Sequence, residues 1–483
     1  MSISASLQNA LTGLTASSKA AQLVSSNMAN VMTEGYATRE IELSSAAGAG
    51  SGGVRVDGIT RSVDPVILAD RRGADAELTE ASTLSDYMTR LERAFGIPDD
   101  ADSLNSRIND LETALISASS RPDSEPRLRQ LLDSAVNLTD TLNGLSDGIQ
   151  SMRLEAEKAI ESAVGQLNTK LEAVHELNRD ITQATVAGRS TAALEDARQV
   201  TLDAINELVP IRLMQRDNGA VAVLSAGGQV LVDSTAKSYE FTPVNAIEAD
   251  MAVSDGSLDR ISIDGEELTA SQMSQLSGGK LSALFTVRDD MMVDAQSKVD
   301  AVARDLIDRF QDSAVDTSLL AGDPGLFTDN GALFDAADEV GIAQRISVND
   351  AANPDEGGEL WRLRDGMSAL TQGNGGNSAI LQAGAMVLTE QRSPSSTGVS
   401  DLSRTSSALA SDVLSYFGVA RQNVEADLSY AASKHTELTL LQMEGGVDTD
   451  QETQKLLLIE QSYQANARVM AVIDEMMDTI LRI

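Results

Sequence analysis

Residues 125–188 read EPRLRQLLDSAVNLTDTLNGLSDGIQSMRLEAEKAIESAVGQLNTKLEAVHELNRDITQATVAG. Apolar side chains recur at Leu128, Leu131, Ala135, Leu138, Leu142, Leu145, Ile149, Met152, Ala156, Ala159, Ala163, Leu167, Leu171, Val174, Leu177 and Ile181. The steps are mostly three and four, which keeps one stripe of a helix facing a partner. No proline falls between Pro126 and Pro210. Pro126 suits a first helical turn and Gly188 a C-terminal stop. About 60 helical residues at 1.5 Å rise make a rod of roughly 90 Å. A helix of that length belongs in an elongated bundle.

Other segments follow the same period. Leu78, Leu84, Met88, Leu91 and Phe95 mark one helix, and Leu104, Ile108, Leu111 and Leu115 another, with Pro98 and Asp99-Asp100 between them. Leu281 to Phe310 forms a third stripe, and Leu409 to Leu438 a fourth that ends at Gly445-Gly446. From Ile211 to Leu268 the pattern changes to short β-prone runs, such as Ala220–Leu224 and Gln229–Val232. The turn pairs Gly227-Gly228, Asp255-Gly256 and Asp264-Gly265 punctuate them. Residues 313–400 are irregular and rich in Gly, Asn, Asp and Pro, with Trp361 as the expected anchor. The predicted fold is mainly α: an elongated bundle of long helices, N- and C-terminal helices paired as a coiled coil, and a small inserted antiparallel β domain. Residues 1–36 with 447–483 are expected to form the terminal coiled-coil domain. Residues 37–210 with 277–446 would form the helical bundle, and 211–276 the outer β-rich insertion.

The chain has 483 residues and a net charge of −36. That balance argues against neutralising nucleic-acid phosphates or adhering to anionic lipid. Without cysteine it holds no disulfide, thiolate metal site or thiol nucleophile. Its two histidines, His175 and His435, are too few for a multi-histidine metal centre. No stretch approaches the roughly 18 apolar residues of a membrane span. The N-terminus lacks the basic start of a cleaved signal peptide. Gly-rich stretches lack phosphate-loop spacing. No catalytic residue, metal site or cofactor site emerges, and an enzyme is not expected.

The first 33 residues contain no Asp or Glu, although 73 of the 483 residues are acidic. Their apolar seam passes through Leu7, Leu11, Leu14, Ala21, Val24, Met28 and Val31. The last helix carries a matching seam: Leu456, Ile459, Tyr463, Asn466, Met470, Ile473, Met477 and Ile480. A capping box from Thr449 to Glu452 is expected to open it. Tyr463 reads as a core aromatic, and Asn466 as a register-setting residue or an exposed flank. His435 reads as a packing residue. Two readings stand for these ends. They pair with each other and finish the bundle, or they also pack against other copies of the chain. Helices with so little apolar area are marginal alone, so they are expected to be poorly ordered in the monomer and to order on assembly.

Asn27-Met28-Ala29-Asn30-Val31-Met32-Thr33-Glu34-Gly35-Tyr36 resembles the N-I-A-N-x-x-T-x-G-Y signature of bacterial flagellar axial proteins. Asn27, Asn30, Thr33, Gly35 and Tyr36 are the matching positions. Gln461-Ser462-Tyr463-Gln464-Ala465-Asn466-Ala467-Arg468-Val469 resembles their Q-x-x-Y-Q-A-N-x-x-V helix. Ala193–Val200, Gly279–Leu284 and Gly446-Val447-Asp448 are similar to the hook-associated protein 1 family, as are Gly325–Thr328 and Arg345–Asn349. The pattern departs from the signature at Met32 and Glu34, and Arg39 falls one place late.

The resemblance implies an extracellular structural joint between flagellar hook and filament, with no cofactor. The chain would leave through the flagellar type III export apparatus without a cleaved signal and form a ring-like layer with itself. Its other partners would be the hook protein, the second hook–filament junction protein and an export chaperone on the C-terminal helix. No nucleic acid or membrane insertion is implied. The alternatives are another axial protein (hook protein or second junction protein) and, from a different class, a cytosolic coiled-coil scaffold.

Overall fold

The computed structural model describes residues 3–33, 35–46, 52–96, 100 and 102–482. Glu34 and the expected Pro98-Asp99 break lie outside them. The chain is 63% helical, so the fold is mainly α. Helix α1 (Ile3–Ala29) leads into a hairpin of β1 (Thr38–Ser45) and β2 (Val54–Ser62). Four helices follow: α2 (Pro65–Phe95), α3 (Leu104–Ser120), α4 (Glu125–Val186) and α5 (Ala192–Leu208). Strands β3 (Ile211–Gln215), β4 (Val221–Ser225) and β5 (Val230–Val232) form one antiparallel sheet. A second comprises β6 (Tyr239–Glu240), β7 (Ser262–Ile263) and β8 (Glu266–Glu267). Then come α6 (Ala270–Ser274), α7 (Gly279–Thr286) and α8 (Met292–Phe310). Antiparallel strands β9 (Phe327–Asp329) and β10 (Ile346–Val348) flank α9 (Ile342–Arg345), and α10 (Arg362–Asp365) and α11 (Ala379–Thr389) follow. Two long helices close the chain, α12 (Ser406–Glu444) and α13 (Thr449–Leu481).

The 62-residue α4 is the spine. Its predicted stripe is buried except at Ala159 and Leu177, which are partly covered. Gly188, at φ +67°, ends it as expected; Arg189 N donates to Ala184 O at 2.8 Å and Gly188 N to Thr185 O at 3.0 Å. One hydrophobic cluster runs from Tyr87 on α2 through α4 to Phe417 on α12, and no residue of α1 or α13 belongs to it. The body therefore holds its core without the terminal helices.

The β insertion is strapped along α4 by polar side chains that interrupt the stripe. Asn178 donates to Val221 O at 2.8 Å and accepts from Val221 N at 3.2 Å. Asn168 does the same for Tyr239, at 2.7 and 2.8 Å. Buried Arg153 donates to Glu248 O at 3.0 Å and Met251 O at 2.7 Å. Buried Glu157 accepts from Arg288 Nη1 at 2.6 Å and Val244 N at 3.1 Å. Such groups are costly to bury unless satisfied, so these partners fix where the insertion lies.

Three sequence expectations change here. The stripe from Leu281 to Phe310 is not one helix, because a π turn at residues 287–291 separates α7 from α8. Arg288 lies in that turn, bonded to Glu157. Residues 313–400 are less irregular than expected, since they contain α11. Trp361 is only half-buried, with the Arg362 guanidinium 5.1 Å from its ring centroid. The aromatic centre of that region is Phe327 against Phe310, with centroids 5.3 Å apart. Finally, the β1–β2 hairpin stands where continuous helical bundle was expected.

Asp300 on α8 is buried and accepts from Gly341 N at 2.8 Å and from Ala343 N and Gln296 Nε2 at 2.9 Å. Burial raises its pKa from 3.8 to about 6 despite those bonds. The folded state thus favours the protonated acid. Its stabilisation is full below the unfolded value and is lost as pH rises through about 6, a change of about 3 kcal/mol. Asp300→Asn is expected to flatten the dependence of Tm on pH between 4 and 7. Identical slopes in mutant and wild type would refute this.

Candidate assembly site at the paired chain ends

The two ends meet through one buried amide. Asn27, 1% exposed on the last turns of α1, uses both sides of its side chain. Its Oδ1 accepts from Tyr36 OH at 2.8 Å and from Arg39 N at 3.1 Å. Its Nδ2 donates at 3.0 Å to Arg39 O and at 3.0 Å to Glu452 Oε2 on α13. Glu452, also 1% exposed, takes its remaining partner from Lys455 Nζ at 2.8 Å.

The other motif residues build the turn that makes this possible. Asn30 Nδ2 donates to Ser26 O at 2.8 Å, and Thr33 Oγ1 to Asn30 Oδ1 at 3.2 Å. Thr33 N closes on Asn30 O at 2.9 Å, and Tyr36 N on Thr33 O at 3.2 Å. Gly35 adopts φ +73° with Val200 of α5 directly above it, so a side chain there would be strained and would collide. All five motif positions therefore serve one helix stop.

Arg39 explains the late arginine. Its guanidinium lies 4.7 Å from the Tyr36 ring centroid and donates to Asp196 of α5 at 2.7 Å. Arg61 on β2 reaches the same Asp196 at 2.8 Å and Gln199 at 2.8 Å. The stretch around Ala193–Val200 is thus the body's anchor for the hairpin, which joins the terminal helices to the bundle.

Helices α1 and α13 pack along each other as expected; α13 uses Ile459, Asn466, Met470 and Ile473 of the predicted seam, whereas α1 turns a neighbouring face. On α1 the buried residues are Ala10, Ala16, Ser17, Ala20, Leu23, Val24 and Asn27. Leu7, Leu11 and Val31 are exposed; Leu14, Ala21 and Met28 are half-buried, leaving Val24 as the buried member of the predicted seam. Small residues let the helices approach closely. An added Cβ on Gly13 would stand 2.8 Å from Asn466 Nδ2. On α13 the covered line is Glu452, Ile459, Asn466 and Ile473, a strict seven-residue repeat, with Met470 half-buried beside it. Leu456, Tyr463, Met477 and Ile480 are exposed. Tyr463 is therefore not a core aromatic in the single chain, because the small-residue face of α1 covers only one column of α13.

The capping expectation also changes. Asp448, not Thr449, caps α13: its Oδ1 accepts from Asp450 N at 2.8 Å and Gln451 N at 3.1 Å. Glu452 is turned toward Asn27 instead. Helices α1 and α13 each run unbroken, over Ile3–Ala29 and Thr449–Leu481. What they lack is cover.

Sequence reading missed a second stripe on α13. Leu458, Ala465, Val469, Val472 and Met476 are all exposed, Leu458 by 66%, and Ser462 continues the line. Their steps of four and three repeat the coiled-coil template about 100° around the helix from the buried line. The signal was present in the spacing, hidden because each of its members lies one position before a residue of the first seam. Exposed apolar rows of this length mark interaction surfaces.

His435 on α12 faces Asp75 of α2 at 3.1 Å, in keeping with a packing role. Among the described residues no group of three or more His, Asp and Glu could hold a metal ion. No helix there is long and apolar enough to cross a membrane.

Comparison with known proteins gives consistent matches. The profile "Flagellar hook-associated protein FlgK helical domain" matches residues 88–326, and "Flagellar basal body rod FlgEFG protein C-terminal" matches 445–483. Flagellar hook-associated protein 1 of Salmonella typhimurium is 27% identical over 254 residues, covering 50% of this chain and 45% of that protein. Its Escherichia coli counterpart is 25% identical over 298 residues, 59% of this chain and 52% of that protein. The chain thus spans about half the length of these curated relatives. The Bacillus subtilis counterpart is 22% identical over 519 residues, 98% of this chain and 97% of that protein. A solved structure of the flagellar hook junction protein FlgK from Burkholderia pseudomallei is 21% identical with a TM-score of 0.43, covering 54% of this chain and 47% of that one.

Asn27→Ala would remove four hydrogen bonds and leave the buried Glu452 carboxylate with Lys455 alone, a loss of about 2–4 kcal/mol at the joint. Amide exchange at Arg39 should accelerate at least about tenfold, with α4 amides unchanged. Unaltered exchange at Arg39 would contradict the role assigned to this amide.

Proposed function

The chain belongs to the flagellar hook-associated protein 1 family, and on that premise we propose that it is a structural junction protein joining flagellar hook to filament. It polymerises at the hook tip through its terminal helices, after type III export. Residues 1–36 and 447–483 form the inner assembly unit, the helical bundle surrounds it, and the β insertion lies outermost. Partners on this reading are other copies, the hook protein, the second junction protein and an export chaperone docked on α13.

The observation that carries the reading is the uncovered second stripe of α13 beside the small-residue pairing with α1. Burial of apolar area at roughly 25 cal/mol per Å² stabilises a layer only when several copies meet. The mainly α body speaks against the hook-protein alternative, which the resemblance associates with a β-rich body. A cytosolic scaffold accounts for the long helices but not for the two end motifs.

Deleting the gene should give hooks without filaments and flagellin monomer in the medium. Normal filaments would refute the junction role. Complementation by a chain lacking residues 1–30, or carrying Val469→Asp with Val472→Asp, should fail although each variant stays folded, because the core excludes α1 and α13. Assembly by either variant would sink the terminal-helix mechanism.

A further inference from the structure

A cleft of about 850 Å³ opens between α2, α5 and β3, beside the joint to the terminal helices. Four arginines line it, Arg61, Arg72, Arg198 and Arg212, against two carboxylates, Asp70 and Glu195. The arginines are not equally matched. Arg61 is held by Asp196 at 2.8 Å. Asp203 is shared between Arg71 and Arg72, at 2.6 Å from each, and Asp75 holds Arg71 as well, at 2.7 Å. Arg72 is only 5% exposed, and its sole side-chain bond among the described residues is from Nε, which leaves both Nη groups without a partner.

Arg198, 9% exposed, bonds only neutral oxygens: Asn178 Oδ1 at 2.9 Å and Gly219 O at 2.8 Å. Burial lowers its pKa; Glu195 opposes that, and the guanidinium groups of Arg61 and Arg72 add to it. The side chain of Arg212, exposed on β3, has no hydrogen-bond or ion-pair partner among the described residues. Two nine-tenths-buried guanidinium groups thus face one hollow, Arg72 held by Asp203 through Nε alone and Arg198 bonded to no carboxylate, in a chain whose net charge is −36. Partly desolvated donors of this kind bind carboxylates more strongly than exposed ones.

We propose that this cleft is a binding site for an acidic peptide segment presented by a second copy of the chain. Charge complementarity identifies the ligand class. Copies carrying −36 repel one another, and a contact between their bodies needs a place where carboxylates meet unmatched cations. Position identifies the source. The cleft shares Val63, Pro65, Leu68 and Gln199 with a hollow of about 490 Å³ that Tyr36, Leu441 and Gly445 also line. That hollow lies where the chain passes between body and terminal helices. The choice of a second copy rests on the assembly role proposed above; the anion chemistry does not.

The test uses the full chain and a fluorescent hexaglutamate peptide at low ionic strength. Binding is expected, and Arg212→Glu, which removes no bond within the chain, should weaken it about tenfold. Absence of binding, equal affinity for the variant, or displacement of the peptide by acetate at equal carboxylate concentration would each overturn the peptide site. A photo-crosslinker at position 212 of concentrated protein should join two copies through an Asp- or Glu-rich segment. Peptide binding without such adducts would overturn the second copy as its source. Chains that assemble normally without adducts at 212 would sink this inference and leave the junction role standing.

Discussion

The side-chain amide of Asn27 has four hydrogen-bonding positions, and each is taken by a different part of the joint: the Tyr36 hydroxyl, the two backbone groups of Arg39 and the Glu452 carboxylate. Helix α1 has to stop where it does for Tyr36 to fold back. β1 has to begin where it does for Arg39 to reach Asp196. α13 has to enter beside α1 for Glu452 to be satisfied. A buried carboxylate and a buried amide have no alternative partners at that depth, so the geometry is over-determined. The termini therefore leave the body at a defined place, although they contribute nothing to its hydrophobic core.

The same logic operates on α4 at larger scale. Its apolar stripe fixes the spine, and buried polar residues set into that stripe decide what lies along it. Asn178 holds β4, Asn168 holds β6, and Arg153 with Glu157 holds residues 244–251. Apolar packing supplies most of the stability, while these directional bonds select one placement among many of similar burial. The terminal pair inverts the balance. There the polar lock is complete, but the apolar surface is mostly uncovered, which suits a segment whose final partners lie outside the chain.

Much of this was legible in the sequence. The stripe from Leu128 to Ile181 gave α4 nearly to its ends, because three- and four-residue steps without proline admit no other regular structure. The end motifs fall at the joint, where Gly35 takes a left-handed turn and Tyr36 bonds Asn27. Other features were hidden for physical reasons. In the hairpin, Ile41 and Leu43 alternate with charged residues over short strands, a weak signal beside long helices. Arg153, Glu157 and Arg288 carry no sequence signal of burial, because their partners lie about a hundred residues away along the chain. Thr449 and Glu452 have capping-box spacing, but Asp448 is the stronger cap and Asn27 engages Glu452. The small residues of α1 permit close approach on several faces, and the contact forms on Ala10, Ala16, Ser17 and Ala20 rather than on Leu7 and Leu11.

The central claim is that α13 carries an apolar stripe which only assembly covers. Hydrogen–deuterium exchange on the full-length chain, before and after polymerisation, tests it most directly. Amides from Leu458 to Met476 should exchange quickly in the monomer and become protected by about two orders of magnitude or more on assembly, while α4 stays protected throughout. Equal protection of this stretch in both states would contradict the account.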